Sequence, residues 1–374
     1  MTKNIKLKIY TVVVFILIIP IFIKTASASY SNIDSYLDTS KKQEIYSSLD
    51  EDAKELLQEL GITDIEINEI FNVGFNRVLG SFFDLLSGSL KDKAFTFMSI
   101  LACMLIVAIV NSISGSEKKK GSELIGYSIL SLVIGVPFIS FLSVVKSLFS
   151  SVLGFMKAFI PIYAAVIAVS GKPTLALSFS TAVLAFGEFI VYFVDNLYSP
   201  FMGMIFCLAL VGGISDIFDC ENIISAIKKG VTFILGLAAT LFSGLLSIKS
   251  VLASATDSVG AKGIKFLIGA GVPVVGSSIN EALSSIAAGL SLLKSTVGVF
   301  GIIALFAIFF PVLIEVIAWI ILLQLSAVLA KALGCEKEQA LLKNVSLCAS
   351  LILAAAAIMI TVLIVSCGII LKLV

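Results

Sequence analysis

From Ala94 onward the chain is one long apolar run after another, and this decides most of what it can become. Runs near 94–113, 123–145, 151–170, 174–194, 199–217, 231–248, 297–330 and 347–371 are separated only by short polar breaks. Each is near or above the roughly 20 residues a helix needs to cross a hydrocarbon core. With no water there, only helices or closed barrels satisfy the backbone. These runs are too long and continuous for barrel strands. The expected fold class is therefore all-α: a polytopic helical membrane domain over 94–374, with seven or eight spans. Composition agrees, since 59% of the residues are hydrophobic and 14% charged, and mean hydropathy is +1.10. Ordinary soluble domains carry about 25% charge. A soluble enzyme or disordered scaffold is excluded, and so is a nucleic-acid binder, for which a net charge of +1 offers nothing.

The front end differs. Lys3, Lys6 and Lys8 precede the apolar stretch Ile9–Ile23, and Ala26-Ser27-Ala28 follows. That is the pattern of a secretory signal peptide over 1–28, cut after Ala28. The alternative is an uncleaved first membrane helix; either way the next segment is delivered across the membrane. Residues 29–93 hold 13 of the 25 acidic residues and six basic ones. Ile45, Leu49, Leu56 and Leu60 recur at helical spacing, with Ser40 and Gln43 as a capping box and Gly61 as the stop. Thr63 and Glu66 open a second pattern, in which Ile67, Ile70, Phe71, Phe75, Val78, Phe82 and Leu86 share a face. The segment reads as an extracytoplasmic helical unit: a docking surface, or a hairpin resting on the membrane.

Lysines set the orientation. With 29–93 outside, Lys118–Lys120, Lys172, Lys228, Lys229, Lys331, Lys337 and Lys343 fall on the inner side. The stretch 249–295 fits less well, because it is placed outside while carrying Lys249, Lys262, Lys265 and Lys294. The segment 250–295 is an expected interfacial or re-entrant element, with Pro273, Gly276 and Glu281 as its turn residues. Pro311 and Glu315 inside 297–330 predict a kink or two half-helices.

Candidate chemistry is sparse. Histidine is absent, which removes the commonest general base and metal ligand. Cys103, Cys207, Cys220, Cys335, Cys348 and Cys367 form no CxxC pair and read as small apolar packing residues. The glycine-rich 269–276 lacks the lysine of a phosphate loop. No catalytic, cofactor or metal site is expected. Ionisable groups inside a membrane are functional candidates by default. Here they are Glu188 and Glu315, with Lys157 and Asp195 nearer the edges. They serve ion coupling, or they face other helices and satisfy one another.

The order of elements, together with Lys265–Ile268, Pro273–Gly276, Glu281, Ser291–Lys294, Val297-Gly298 and the long run containing Pro311, resembles the stage III sporulation protein AE family of endospore-forming bacteria. That resemblance implies a multi-pass protein of the mother-cell membrane around the forespore. It implies a role as platform or gate in a secretion-like channel complex needed after engulfment. The implied partners are the other stage III sporulation A-operon proteins, including a secretion-type ATPase and ring-forming members. Through them the chain would meet stage II sporulation protein Q. No catalytic residue is carried over. A stand-alone secondary transporter using Glu188 and Glu315 is the alternative.

Overall fold

The computed structural model describes residues 39–63, 75–113, 116–214, 220–271 and 276–372, with the backbone alone over 260–295. Ala28, Thr63–Glu66 as a cap, Ile67–Phe71, Asp216, Asp219 and Pro273 therefore fall wholly or partly outside the described residues. The described chain is all-α. Three helices come first: α1 (Thr39–Ser47), α2 (Glu51–Glu59) and α3 (Phe75–Asp92). Next are α4 (Ala94–Ile113), α5 (Ser116–Val169), α6 (Pro173–Phe193) and α7 (Ser199–Ile214). The last are α8 (Cys220–Gly271), α9 (Gly276–Ala332) and α10 (Glu336–Lys372).

The expected first helix is two. The break falls at Asp50, whose carboxylate accepts the Ala53 N–H at 3.0 Å and caps α2. Ser40 lies within α1 and is no cap. The apolar face is as read: Ile45, Leu49, Leu56 and Leu60 are all buried. Gly61 ends α2, and the next N–H, of Ile62, reaches back to the Leu57 carbonyl at 2.8 Å.

Among the described residues, six helical stretches rather than seven or eight are long and apolar enough to cross a membrane. Two expected breaks are absent. The chain runs straight through 146–150, where Lys-Ser-Leu-Phe-Ser offers neither glycine nor proline to release a helix. Pro137 and Pro161 lie inside α5 without ending it. The chain also runs through 194–198, a π segment in which the Ser199 N–H bonds the Val194 carbonyl. That wider turn joins α6 to α7 just before Pro200, which has no N–H to donate. The chain does reverse at Gly171 and Gly334, whose φ values of 87° and 74° suit glycine alone among ordinary residues. The segment 250–295 is helical wherever it is described: α8 continues to Gly271, and Gly276 opens α9 with Glu281 in its second turn. Pro311 lies within α9, which continues on both sides as one helix.

These continuities change which loops share an end of the bundle. The start of α6 meets the far part of α8, while Phe159, late in α5, packs on Gly301, near the middle of α9. Lys172 thus sits at the opposite end from Lys118–Lys120 and Lys331, not on their side as expected.

The core is organised around α9. Every residue from Thr296 to Phe310 is buried. α10 packs along α9 most extensively, α5 and the short helices α2 and α3 also touch it, and α6, α7 and α8 complete the bundle through α5 and α10. Phe155, Phe159 and Tyr163 stack on one face of α5 with ring centroids 5.3 and 5.4 Å apart. Tyr163 meets Phe179 of α6 edge-on. Gly301 admits this ladder, because a Cβ there would lie 2.2 Å from the Phe159 ring. The Tyr127 hydroxyl donates to the Ala209 carbonyl, tying α5 to α7.

Candidate functional site

Several charged residues of the helical body stand in separate pairs. Lys93 is the single residue between α3 and α4. Its ammonium lies 3.1 Å from Glu315 of α9 and 5.8 Å from the Trp319 ring, one turn further on. Both charges are largely shielded, with side-chain exposures of 12% for Lys93 and 28% for Glu315. Phe82 of α3 packs against Phe310 of α9 beside them. The pair thus fastens the N-terminal helices to the central helix, and Glu315 is the residue that receives them.

Glu188 is placed differently. It lies on α6, 2.7 Å from Lys157 of α5, and both side chains are more than half exposed. Asp195, in the π segment, stands 3.9 Å from Lys146 of α5. The two candidate carboxylates are therefore not brought to one place. Each faces a lysine from elsewhere in the chain, Lys93 for Glu315 and Lys157 for Glu188.

A third cluster was not legible in the sequence. Asp257 of α8 is 8% exposed. Its two carboxylate oxygens accept the Thr174 and Leu175 N–H groups at 3.1 and 2.9 Å. Those are free donors in the first turn of α6. Lys172, at the capping position, makes no side-chain cap bond, and Pro173 follows it. The cap comes instead from a helix about eighty residues later. The Lys172 ammonium reaches Ser254 at 3.2 Å, one turn before Asp257. Burial pushes the Lys172 ammonium below its ordinary value, and the Asp257 charge opposes that shift. The one signal in the sequence was negative: the capping position before Pro173 holds Lys172 and not Ser, Thr, Asp or Asn.

Near the N-terminal helices, Asp50 titrates above the ordinary carboxylate range. Burial disfavours its charge most, Asp52 adds to the effect, and the bonds from Ala53 and Ser151 oppose it. Ser151 belongs to α5, and α1 packs on that long helix while α2 packs on α9. No group of three or more Cys, Asp or Glu side chains lies close enough to hold a metal ion among the described residues. Of the cysteines described, Cys103, Cys335, Cys348 and Cys367 are buried and Cys207 is exposed.

Six long apolar helical stretches, one of them the buried central α9, with paired charges at their flanks, define a multi-pass α-helical membrane protein. The sequence pattern described as stage III sporulation protein AE matches residues 53–373, and the chain belongs to that family of sporulation proteins. A relative from Bacillus subtilis (strain 168), also named stage III sporulation protein AE, is 23% identical over 232 residues. That similarity covers 62% of this chain and 58% of the relative's length. No solved structure matches.

Proposed function

We propose that this chain is a membrane-embedded platform or gate component of the mother cell–forespore channel complex, required for sporulation after engulfment. Family membership supports a role alongside other stage III sporulation proteins. The observation that carries the reading is the way charge is used. The Lys93–Glu315 pair joins the N-terminal helices to α9, and the Asp257 cap joins α8 to α6. In both, the shielded charge holds elements together. That is the economy of a scaffold. In this reading the end carrying Lys118–Lys120, Lys228, Lys229, Lys331 and Lys337 is cytoplasmic. Residues 29–93 then form an extracytoplasmic unit attached to the membrane domain 94–374. The partners are the A-operon proteins, the secretion-type ATPase among them, and through the complex stage II sporulation protein Q. Deletion of the gene is expected to arrest development after engulfment, and the tagged chain to co-purify with the other complex members. Normal spores from a clean deletion would sink the reading.

The second reading is a stand-alone secondary transporter, favoured by carboxylate–lysine pairs between helices. Ion coupling requires a carboxylate to gain and lose a proton or ion during the cycle. Glu188→Gln and Glu315→Gln separate the two. A sporulation defect that follows the loss of charge at both positions, with the protein still folded, favours transport.

A further inference from the structure

The helices of this bundle are about twice as long as a bilayer is thick. The apolar stretch of α5, Leu124–Val169, has 46 residues. At a rise of about 1.5 Å per residue it measures roughly 69 Å. Those of α9 and α10, Thr296–Ala332 and Glu336–Gly368, hold 37 and 33 residues. They measure roughly 56 and 50 Å. A hydrocarbon core is about 30 Å. A tilt of about 40° would lengthen the path only to roughly 40 Å. Part of each helix has to lie outside.

α4 supplies the ruler. Its 20 residues span about 30 Å. The Lys93–Glu315 pair sits at one end, and α5 begins at the other with Ser-Glu-Lys-Lys-Lys. α4 packs against the first part of α5: the Cys103 thiol lies 3.9 Å from the Gly126 carbonyl, and a Cβ on Gly126 would strike Val107. Over this stretch the outer surface of α5 is apolar, with Ile125, Ile129, Leu132, Val136 and Ile139 exposed.

Beyond Ile139 the surface of α5 changes. Its exposed positions become Ser140, Ser143, Ser147, Ser150, Gly154, Lys157, Pro161 and Ala165, and no large aliphatic or aromatic side chain of α5 is exposed again before Val169. The two exposed ion pairs, Lys146–Asp195 and Lys157–Glu188, lie on this stretch. So does Ser151, which faces Asp50 at the head of α2. α2 carries Glu51, Asp52, Glu55 and Glu59 on its exposed surface, a helix that hydrocarbon would not accept.

We infer that the bilayer encloses only the half of the bundle built around α4. The half containing Ser140–Val169 of α5, α6 and Asp195 stands outside the hydrocarbon core, with the α5 face in water. Buried apolar helices outside a membrane are the ordinary interior of a globular domain, so the long apolar runs do not by themselves mark lipid. Exposed apolar side chains at this height include Leu177, Phe189 and Tyr192 of α6, and the surface that most resembles a lipid face is on α8, where Leu241, Leu245, Ile248 and Leu252 are exposed. The test therefore includes it.

The full chain, reconstituted alone into phosphatidylcholine vesicles, carries single spin-labelled cysteines in a background of Cys207→Ser and Cys220→Ser. The labelled variants are Ile106→Cys, Ile129→Cys, Ser150→Cys, Gly154→Cys and Leu245→Cys, and all five positions are exposed, so folding is little disturbed. Dissolved oxygen concentrates in the bilayer, whereas a charged-ligand nickel chelate stays in water. Oxygen is expected to dominate relaxation at 106 and 129, the chelate to dominate at 150 and 154, and 245 to lack the oxygen signature of 129. Oxygen dominance at 150, 154 or 245 matching that at 129 overturns the placement. The measurement uses no sporulation partner, so its outcome is independent of the channel reading.

Discussion

α8 and α9 are both long, apolar and able to cross a membrane, yet they live in different surroundings. Fifteen consecutive residues of α9, Thr296 to Phe310, are buried by protein on every side. α8 exposes Phe233, Leu237, Leu241, Leu245, Ile248 and Leu252. Hydropathy treats the two alike because lipid and protein interior are alike in polarity. They differ in packing. A protein neighbour has shape and contacts α9 at fixed points, such as the Phe159 ring over Gly301. The exposed ridge of α8 has no such partner among the described residues.

The largest expected effect tests that contrast directly. Gly301→Leu places a side chain where a Cβ alone would be 2.2 Å from Phe159. It should cost about 3 kcal/mol, the upper end of core overpacking, or prevent folding altogether. Gly236→Leu on α8 has open space around it and should stay within about 0.5 kcal/mol of the parent. Thermal unfolding in detergent reads both. Equal effects would mean that α9 is no more constrained than α8.

Next comes the joint between α8 and α6. Asp257→Ala strands the Thr174 and Leu175 N–H groups and should cost about 1–2 kcal/mol, with Asp257→Asn recovering part of it. Hydrogen exchange should quicken first in the opening turn of α6. Unchanged exchange there would show that α8 does not hold α6.

The ion pairs come third. Glu315→Gln leaves the shielded Lys93 without its countercharge and should cost about 1–2 kcal/mol, between the values of exposed and buried pairs. Glu188→Gln, on the exposed pair, should cost about 0.5 kcal/mol or less. A larger loss at Glu188 would reverse the ranking of core over flank.

The smallest effect concerns pH. Burial raises the Asp50 pKa above its unfolded value, so the folded state binds that proton more tightly. The stability this gives is complete below the unfolded value of 3.8 and is lost as pH rises through the folded value. Asp50→Asn keeps a capping oxygen without the charge. Its melting temperature should therefore fall less than the parent's as pH is raised from about 4 toward neutrality. Parallel curves would show that Asp50 does not titrate with the fold.

The helical membrane class could be read from the apolar runs, because no other secondary structure satisfies their backbone. The face Ile45, Leu49, Leu56 and Leu60 could be read from spacing, and the stop at Gly61 from the backbone freedom of glycine. The span count could not. Seven or eight runs become six long helices because Lys146–Ser150 and Asp195–Ser199 look like polar breaks but contain nothing that ends a helix. Their polarity is answered across the bundle, where Lys146 stands near Asp195.

Glu188 and Glu315 were visible as costly groups in apolar surroundings. Their lysines were not assignable, since Lys93 is 222 residues from Glu315 along the chain. Asp257 showed no sign of its role, because a cap offered from another helix leaves no local pattern. Local composition and spacing determine what each stretch of this protein is: its helices, its apolar faces and its sporulation family. Only the tertiary structure decides which apolar surface meets protein, where the chain turns back and which charge answers which. Those outcomes depend on contacts between residues far apart in sequence, where periodicity carries no information.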